Sequence, residues 1–345
     1  MNHHKLVLVT GGNGYVAIHC IWQLLQEGYA VRTTIRSEKR KAEVTGMLKA
    51  ARVADSSRLS FVIADLVRDA QWNEAMAGCT YVLHVASPIF LELPESEEEM
   101  IRPAVDGTLR VLKAARDAGV KRVVMTSNFG AVGYSHKNRN TVITEESWTD
   151  PNEKGLSAYN KSKVLAEKAA WNFIRQEGGP LELTAINPMA IFGPSLGPAL
   201  SAAHSLLQKV MDGSMKALPD IRMGIVDVRD LADLHISAMI TPAAAGQRFL
   251  ALSGGTMSLL EIAALLKRKM PQAAGKVSAR SLPTWLLKAS ALFNKQAKSI
   301  LPLVGIYRNA SNEKARKLLG WAPGSNEEAV LATAESLISF GHIKP

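Results

Sequence analysis

An α/β fold with a doubly wound parallel sheet is predicted by three observations. Short apolar runs alternate with helical stretches through the first half of the chain. The runs are almost continuously apolar, as strands covered on both faces are, rather than alternating apolar and polar. A glycine-rich turn, "TGGNG", joins the first run directly to the first helical stretch.

Taken in order, "KLVLVT" (5–10), "YAVRTTI" (29–35), "RLSFVIA" (58–64), "TYVLHVA" (80–86) and "KRVVMTS" (121–127) read as strands. Helical patterns fall between them near 14–27, 38–53, 69–77 and 97–118. A helix over "SAYNKSKVLAEKAAW" (157–171) follows, then a sixth strand, "LELTAIN" (181–187). Beyond residue 188 the rhythm changes. Gly193, Pro194, Gly197 and Pro198 make an irregular loop. Helices are expected near 199–213, 229–241, 258–268, 281–293, 311–319 and 326–339, with strands at "MGIVDV" (223–228) and "RFLALS" (248–253). The chain therefore divides into a sheet domain, 1–188, and a smaller mixed α/β lobe, 189–345. Strand 223–228 is expected to rejoin the main sheet, so the boundary is interdigitated. Met189, Phe192, Met215, Trp285 and Phe293 read mostly as core, with some left to line a pocket.

The chain has 345 residues, 21% of them charged, with a net charge of +10. Its basic residues are spread without a long run, which argues against nucleic acid as the partner. Cys20 and Cys79 sit in no CxxC or Cys/His cluster, so a zinc site and a disulfide framework are both disfavoured, and buried reduced thiols are expected. Lys288, Lys295 and Lys298 break the one long greasy region, leaving no membrane span. The N-terminus runs straight into a strand with no room for a signal peptide. The expectation is a cytoplasmic protein, monomer or homodimer, with a small-molecule substrate and no membrane or metal.

Two stretches carry chemistry. In "VTGGNGYVA", Gly11 allows the tight turn, Gly14 leaves room for a pyrophosphate at a helix N-terminus, and Ala17 lets helix and strand pack closely. This is a Rossmann-type dinucleotide signature. A dinucleotide with a free ribose 2′-OH is gripped by an acid at the end of the second strand. Here no acid occurs between Gly28 and Ser37, whereas Arg36 does, with Arg40 one turn on. A guanidinium bonds a 2′-phosphate that a carboxylate would repel, so NADP(H) is the expected cofactor. Asp65, followed by Leu66, ends the third strand, where the acid can accept from an adenine amino group or cap a helix. The second stretch is the helix holding Tyr159 and Lys163, four residues apart and so on one face.

In order along residues 7–321, "TGGNGYVA", "ADL", "HVASP", "VDGTLRVLKAA", "RVVMTS", "AYNKSK", "INPMAIFGP", "VDVRDLADLH" and "NEKARKLLGW" resemble an extended short-chain dehydrogenase/reductase. "EESW", "EKAAW" and "HVASP" are most similar to the branch of dihydroflavonol reductases, cinnamoyl-CoA reductases and yeast-type methylglyoxal and carbonyl reductases. The resemblance implies that Tyr159 is the acid/base and Lys163 its partner. It implies cofactor contacts at Tyr15, Val16, Val85, Ala86, Ser87 and Pro188. Where the family has Thr-Ser-Ser with its second serine catalytic, this chain has Thr126-Ser127-Asn128. In strict register Asn128 fills the slot, and Ser127 is the neighbour that could reach in.

The implied reaction is NADPH-dependent reduction of an aldehyde or ketone, with Tyr159 supplying the proton. Lys163 and the positive nicotinamide are expected to lower the phenol pKa by about three units, worth roughly 4 kcal/mol. A nucleotide-sugar epimerase or dehydratase would hold NAD, against which the missing acid argues. A non-catalytic NADP-binding regulator would tend to lose the Tyr/Lys pair. His84, His204 and His235 read as core or surface histidines.

Overall fold

The computed structural model describes residues 5–53, 56–88, 96–138 and 140–344. The first four residues, part of the N-terminal stretch weighed above as a signal-peptide site, lie outside them. The sheet domain runs β1 (Leu6–Val9), α1 (Tyr15–Gln26), β2 (Ala30–Ile35), α2 (Lys39–Ala50), β3 (Leu59–Ile63), α3 (Trp72–Met76), β4 (Cys79–His84), α4 (Glu97–Asp117) and β5 (Arg122–Thr126). It continues through β6 (Val142–Ile143), α5 (Ala158–Glu177), β7 (Glu182–Pro188) and β8 (Ala190–Phe192). Then come α6 (Ala202–Met211), β9 (Arg222–Met223), β10 (Ile225–Asp227), α7 (Val228–Ile240), β11 (Arg248–Ala251), β12 (Met257–Ser258) and α8 (Leu259–Lys269). The chain finishes with α9 (Thr284–Ser290), α10 (Lys295–Ile300), β13 (Asn309–Ala310), α11 (Glu313–Leu319) and α12 (Asn326–Ser339).

Seven strands make one parallel sheet in the order β11-β7-β5-β4-β1-β2-β3. The chain starts at the centre, builds outward to β3, then crosses back and builds outward the other way. The reversal lies between β1 and β4, and such a switch point opens a crevice beyond the strand ends. Strand side chains alternate between faces. Thus Val7 and Val9 join the core under α1 and α7, while Leu8 joins the core under α3, α4 and α5. A third core gathers α6, α8 and α12.

Strand 223–228 does not rejoin the main sheet. Its Ile225–Asp227 part pairs in parallel with β8, a strand formed where the chain bends just after Pro188. The strand from the second half that joins the main sheet is β11, at its edge beside β7. Both runs are apolar and buried, so composition does not separate them. Trp285 and Phe293 are not core, being 70% and 93% exposed, because α9 is short and buries only Leu287. Phe192 is core, and both cysteines are buried free thiols. Among the described residues no helix is long and apolar enough to cross a membrane, and no cluster of His, Cys, Asp or Glu could hold a metal.

Arg122 shows how the sheet is tied to its cover. It is 1% exposed, and its guanidinium meets Glu182 on the neighbouring strand at 2.7 Å. It also donates to the carbonyls of Ala238, Met239 and Thr241 at the C-terminus of α7, at 2.8, 3.1 and 2.7 Å. A cation there satisfies carbonyls that the helix leaves unbonded. Replacing Arg122 with Met strands all four acceptors. Urea unfolding of Arg122→Met should show a loss of about 3 kcal/mol, as when one partner of a buried ion pair is removed.

Candidate active site

A cavity of about 450 Å³ occupies the crevice at the switch point. Gly11 stands at φ +73°, and its N–H donates to Thr34 Oγ1 at 2.9 Å. A Cβ on it would lie 3.0 Å from that of Ala86, across the crevice. Gly14 precedes α1 as an N-cap without a side-chain acceptor, and the first turn carries no acid. The first N–H groups of α1, at Tyr15, Val16 and Ala17, therefore face the cavity without an intrahelical partner, which suits an anion. Thr10 Oγ1 accepts from the N–H groups of Val85 and Ala86 at 3.0 and 2.9 Å, fixing the opposite wall that Ser87 continues.

Arg36 is exposed and lines this cavity. Arg32 faces elsewhere, donating to the carbonyls of Glu74, Ala75 and Ala77. Arg40, expected as a helper, is turned to Glu43 at 2.6 Å and does not line the cavity. Three residues apart on α2, the two side chains meet on one face. Asp65 and Leu66 do line it. Asp65 Oδ1 accepts from the N–H of Val67 at 3.1 Å, closing a turn, while the residue capping α3 is Gln71. Leu66 rests on Gly107 of α4, where a Cβ would sit 3.1 Å from the leucine. Tyr15 lines the cavity too, and its hydroxyl donates to the carbonyl of Gly193 at 2.9 Å.

A second cavity, about 320 Å³, is lined by Asn128, Tyr159, Asn160, Pro188, Arg222 and Arg308 among others. Lys163 connects the two. Its Nζ donates to Ser87 Oγ at 2.8 Å and lies 5.7 Å from the centroid of the Tyr159 ring. Ser157, as N-cap, accepts from the N–H of Asn160 and starts α5 where Tyr159 falls in its first turn. Tyr159 is 47% exposed and Lys163 only 8%. Burial drives the Lys163 ammonium down to about 8. The Tyr159 phenol is shifted up, first by burial and then by Tyr134. Lys163, whose ammonium is directed at Ser87, is not among the groups that shift the phenol in the protein alone.

Asn128 and Ser127 point opposite ways. Asn128 Oδ1 accepts from the N–H of Gly130 at 2.6 Å and caps the turn Phe129–Ala131. This anchors the amide through its oxygen. Its Nδ2 has no acceptor among the described residues, and Asn128 lines the second cavity. Gly130 is required, since a Cβ there would meet Asn160 Oδ1 at 2.2 Å. Ser127 is 4% exposed and donates to Glu167 Oε2 at 2.5 Å, behind the cavity wall.

Sequence reasoning missed that Glu167. It is wholly buried and also accepts from Asn187 Nδ2, Arg248 Nε and Trp171 Nε1, at 2.7, 2.6 and 3.2 Å. A signal existed: Tyr159, Lys163 and Glu167 recur every four residues, so the acid lies on the buried face of the pair. "EESW" is the other half. Arg248 donates to the carbonyls of Glu145 and Ser147 and stacks on Trp148 at 3.8 Å. The three histidines are buried; His235 contacts Thr126 and the Leu231 carbonyl, and burial holds it down at about 4.

These features put the protein among the extended short-chain dehydrogenases/reductases. Within that class the chain belongs to the 3-beta hydroxysteroid dehydrogenase/isomerase family, whose model matches residues 8–245. It is 34% identical over 254 residues to cinnamoyl-CoA reductase CAD2 of Medicago truncatula, covering 72% of this chain and 76% of that protein. It is 29% identical to the putative NADPH-dependent methylglyoxal reductase GRP2 of Candida albicans, over 93% of this chain and 100% of the relative. The crystal structure of yeast methylglyoxal/isovaleraldehyde reductase Gre2 complexed with NADPH matches with a TM-score of 0.80 at 27% identity, over 97% of this chain and 99% of that one.

The buried Lys163 sets a test independent of activity. Its pKa is about 8 in the folded chain against 10.5 when exposed. The folded state thus favours the neutral amine. Stability associated with this group is full above pH 10.5 and is lost as pH falls through about 8. Lys163→Met removes that penalty. At pH 7 the variant should unfold at higher urea than wild type, by ~1–3 kcal/mol, and the gap should close toward pH 10.5.

Proposed function

We propose that the protein is an NADPH-dependent reductase of aldehydes or ketones, with Tyr159 as proton donor and Asn128 as the group that polarises the carbonyl. The observation that carries this reading is the place of Lys163, whose ammonium donates to Ser87 at the wall of the dinucleotide crevice and lies 5.7 Å from the ring of Tyr159, which lines the second cavity. It is supported by two relatives, a putative NADPH-dependent methylglyoxal reductase and a yeast reductase whose crystal structure is a complex with NADPH.

The chain's residues fit the cofactor in kind. The open first turn of α1 suits the pyrophosphate, Gly11 and Gly14 leave it space, and Arg36 suits a 2′-phosphate. Lys163 is a buried donor for the nicotinamide ribose, and Pro188 lines the cavity where the ring would pack. When bound, the cofactor supplies the hydride and leaves a cationic ring beside the phenol. A phenol held above its ordinary pKa keeps its proton at neutral pH, the form a donor needs. Positive charge arriving beside it favours the phenolate, so the proton becomes easier to give as the alkoxide forms. The Nδ2 edge of Asn128 can donate to the same oxygen, because Gly130 holds the amide by its other end. Ser127, committed to Glu167, acts from behind.

Two predictions test this. Arg36→Ala should weaken NADPH binding by roughly 10- to 100-fold, as for loss of a charge-assisted contact, and NADH binding by less than about threefold. Equal losses in a fluorescence titration would remove the 2′-phosphate role. In an NADPH-oxidation screen over aldehydes, diketones and ketoesters, Tyr159→Phe should lower kcat by about 10²–10⁴ with NADPH binding kept. Asn128→Ala should lower it about 10²-fold, Asn128→Ser should recover much of that, and Ser127→Ala should act mainly on stability. A larger kcat loss in Ser127→Ala than in Asn128→Ala would exchange their roles.

A further inference from the structure

We propose that Arg308 is the specificity residue of the substrate cleft and that the carbonyl substrate carries a carboxylate, bound by the free edge of this guanidinium. The proposal rests on the reductase reading of that cleft and names the class of substrate it takes.

Arg308 lies just before β13, far in sequence from Asn128 and Tyr159, yet it lines the same cavity. A smaller cavity of about 100 Å³ adjoins this one, and the two share Tyr134, Asn160, Leu303 and Arg308. Arg308 therefore stands at their junction, with the catalytic tyrosine on one side and the smaller cavity on the other. Its guanidinium lies over the Tyr134 ring, 4.2 Å from the centroid, and its Nε donates to the carbonyl of Gly133 at 3.2 Å. Those two contacts hold the plane and its direction. Nη1 and Nη2 take no acceptor among the described residues, and no ion pair reaches Arg308 there.

Of the other cations, Lys154 is exposed at the rim of the smaller cavity, and the remaining two are engaged. Arg222 meets Glu261 at 2.8 Å and the Thr256 carbonyl at 3.1 Å. Lys137 of the smaller cavity meets Glu153 at 2.6 Å, and Glu153 is the sole carboxylate lining either cavity among the described residues. The cleft thus offers one oriented and half-buried guanidinium with no counter-charge. Burial lowers its pKa, consistent with a desolvated cation that lacks an anion. A cation kept partly out of water without a partner is unfavourable for the protein alone. Two parallel N–H donors in one plane match the two oxygens of a carboxylate better than a single neutral carbonyl. The volume suits a small molecule, with its carbonyl toward Tyr159 and its acid end toward the junction.

The test uses linear oxo acids of increasing length, each paired with its primary amide. NADPH oxidation gives kcat and KM, and calorimetry measures binding of the matching hydroxy acids to the NADP-loaded protein. At the best length, wild type should favour the acid over the amide by roughly 10- to 100-fold in kcat/KM, mostly through KM, and added salt should erode the gap. Arg308→Gln should bring the acid down to the amide while leaving the amide within about threefold of wild type. Arg308→Lys should keep part of the preference. If wild type treats acid and amide alike at every length, the proposal fails and the reductase reading stands. Equal losses for both substrates in Arg308→Gln mean that the arginine only braces Tyr134, which also overturns it. If neither substrate turns over but hydroxy acids bind and lose affinity in Arg308→Gln, the carboxylate site stands and the reductase reading falls. No turnover and no binding would overturn both. The wild-type comparison needs no variant, so a misfolded Arg308→Gln cannot leave the question open.

Discussion

Glu167 is shut off from solvent, and its carboxylate gathers donors from several parts of the fold: Ser127 after β5, Asn187 in β7, Arg248 in β11 and Trp171 on its own helix. A buried carboxylate without such donors would be strongly unfavourable. The requirement therefore acts as a constraint on three strands at once. It fixes how far α5 sits from the ends of β5 and β7, and so fixes where Tyr159 and Lys163 stand. Asn187 passes the constraint on, since its Nδ2 also reaches the backbone carbonyl of Asn128 at 3.2 Å. The cleft wall and the helix that carries Tyr159 and Lys163 are thus set by one group that lines neither cavity.

The same network accounts for the unusual residue at the family's serine position. Ser127 is used up in satisfying Glu167, and its side chain cannot serve the cleft at the same time. The next residue, Asn128, is the one that lines the cavity, and its side chain is set by the turn after it. Gly130 offers an N–H that needs an acceptor. The asparagine supplies that acceptor through Oδ1 and still has an amide N–H₂ to spare.

Much of this was readable from the residues. The apolar runs marked the sheet strands, because burial on both faces leaves no polar alternation, and the glycine turn marked the crevice through its backbone demands. Pairing of the later strands was not readable. "MGIVDV" and "RFLALS" carry the same local signal, and the choice between them depends on the bend after Pro188 that creates β8 beside Ile225–Asp227. Arg36 stood out in the sequence as a base where an acid is missing, and it lines the crevice. Arg40 does not, since an acid three residues on competes for it. Glu167 was legible in principle from its spacing. Arg308 was not, because nothing local distinguishes it from any other arginine, and its meaning comes from Tyr134, which is remote in the chain.

Tyr159 and Lys163 share a helical face, yet the fold gives them opposite environments. Tyr159, in the first turn of α5, opens onto the second cavity and is nearly half exposed, while Lys163, one turn deeper, is almost wholly buried. Only a long flexible stem lets the ammonium leave the helix and reach Ser87 on the far wall of the nucleotide crevice. An arginine would add a wide planar head with more donors than this passage offers, and a shorter side chain would not span it. The four-residue spacing thus does more than stack two groups. It sets Tyr159 on the second cavity and lets Lys163 reach Ser87 on the wall of the first, with the shared helix, pinned by Glu167, between them.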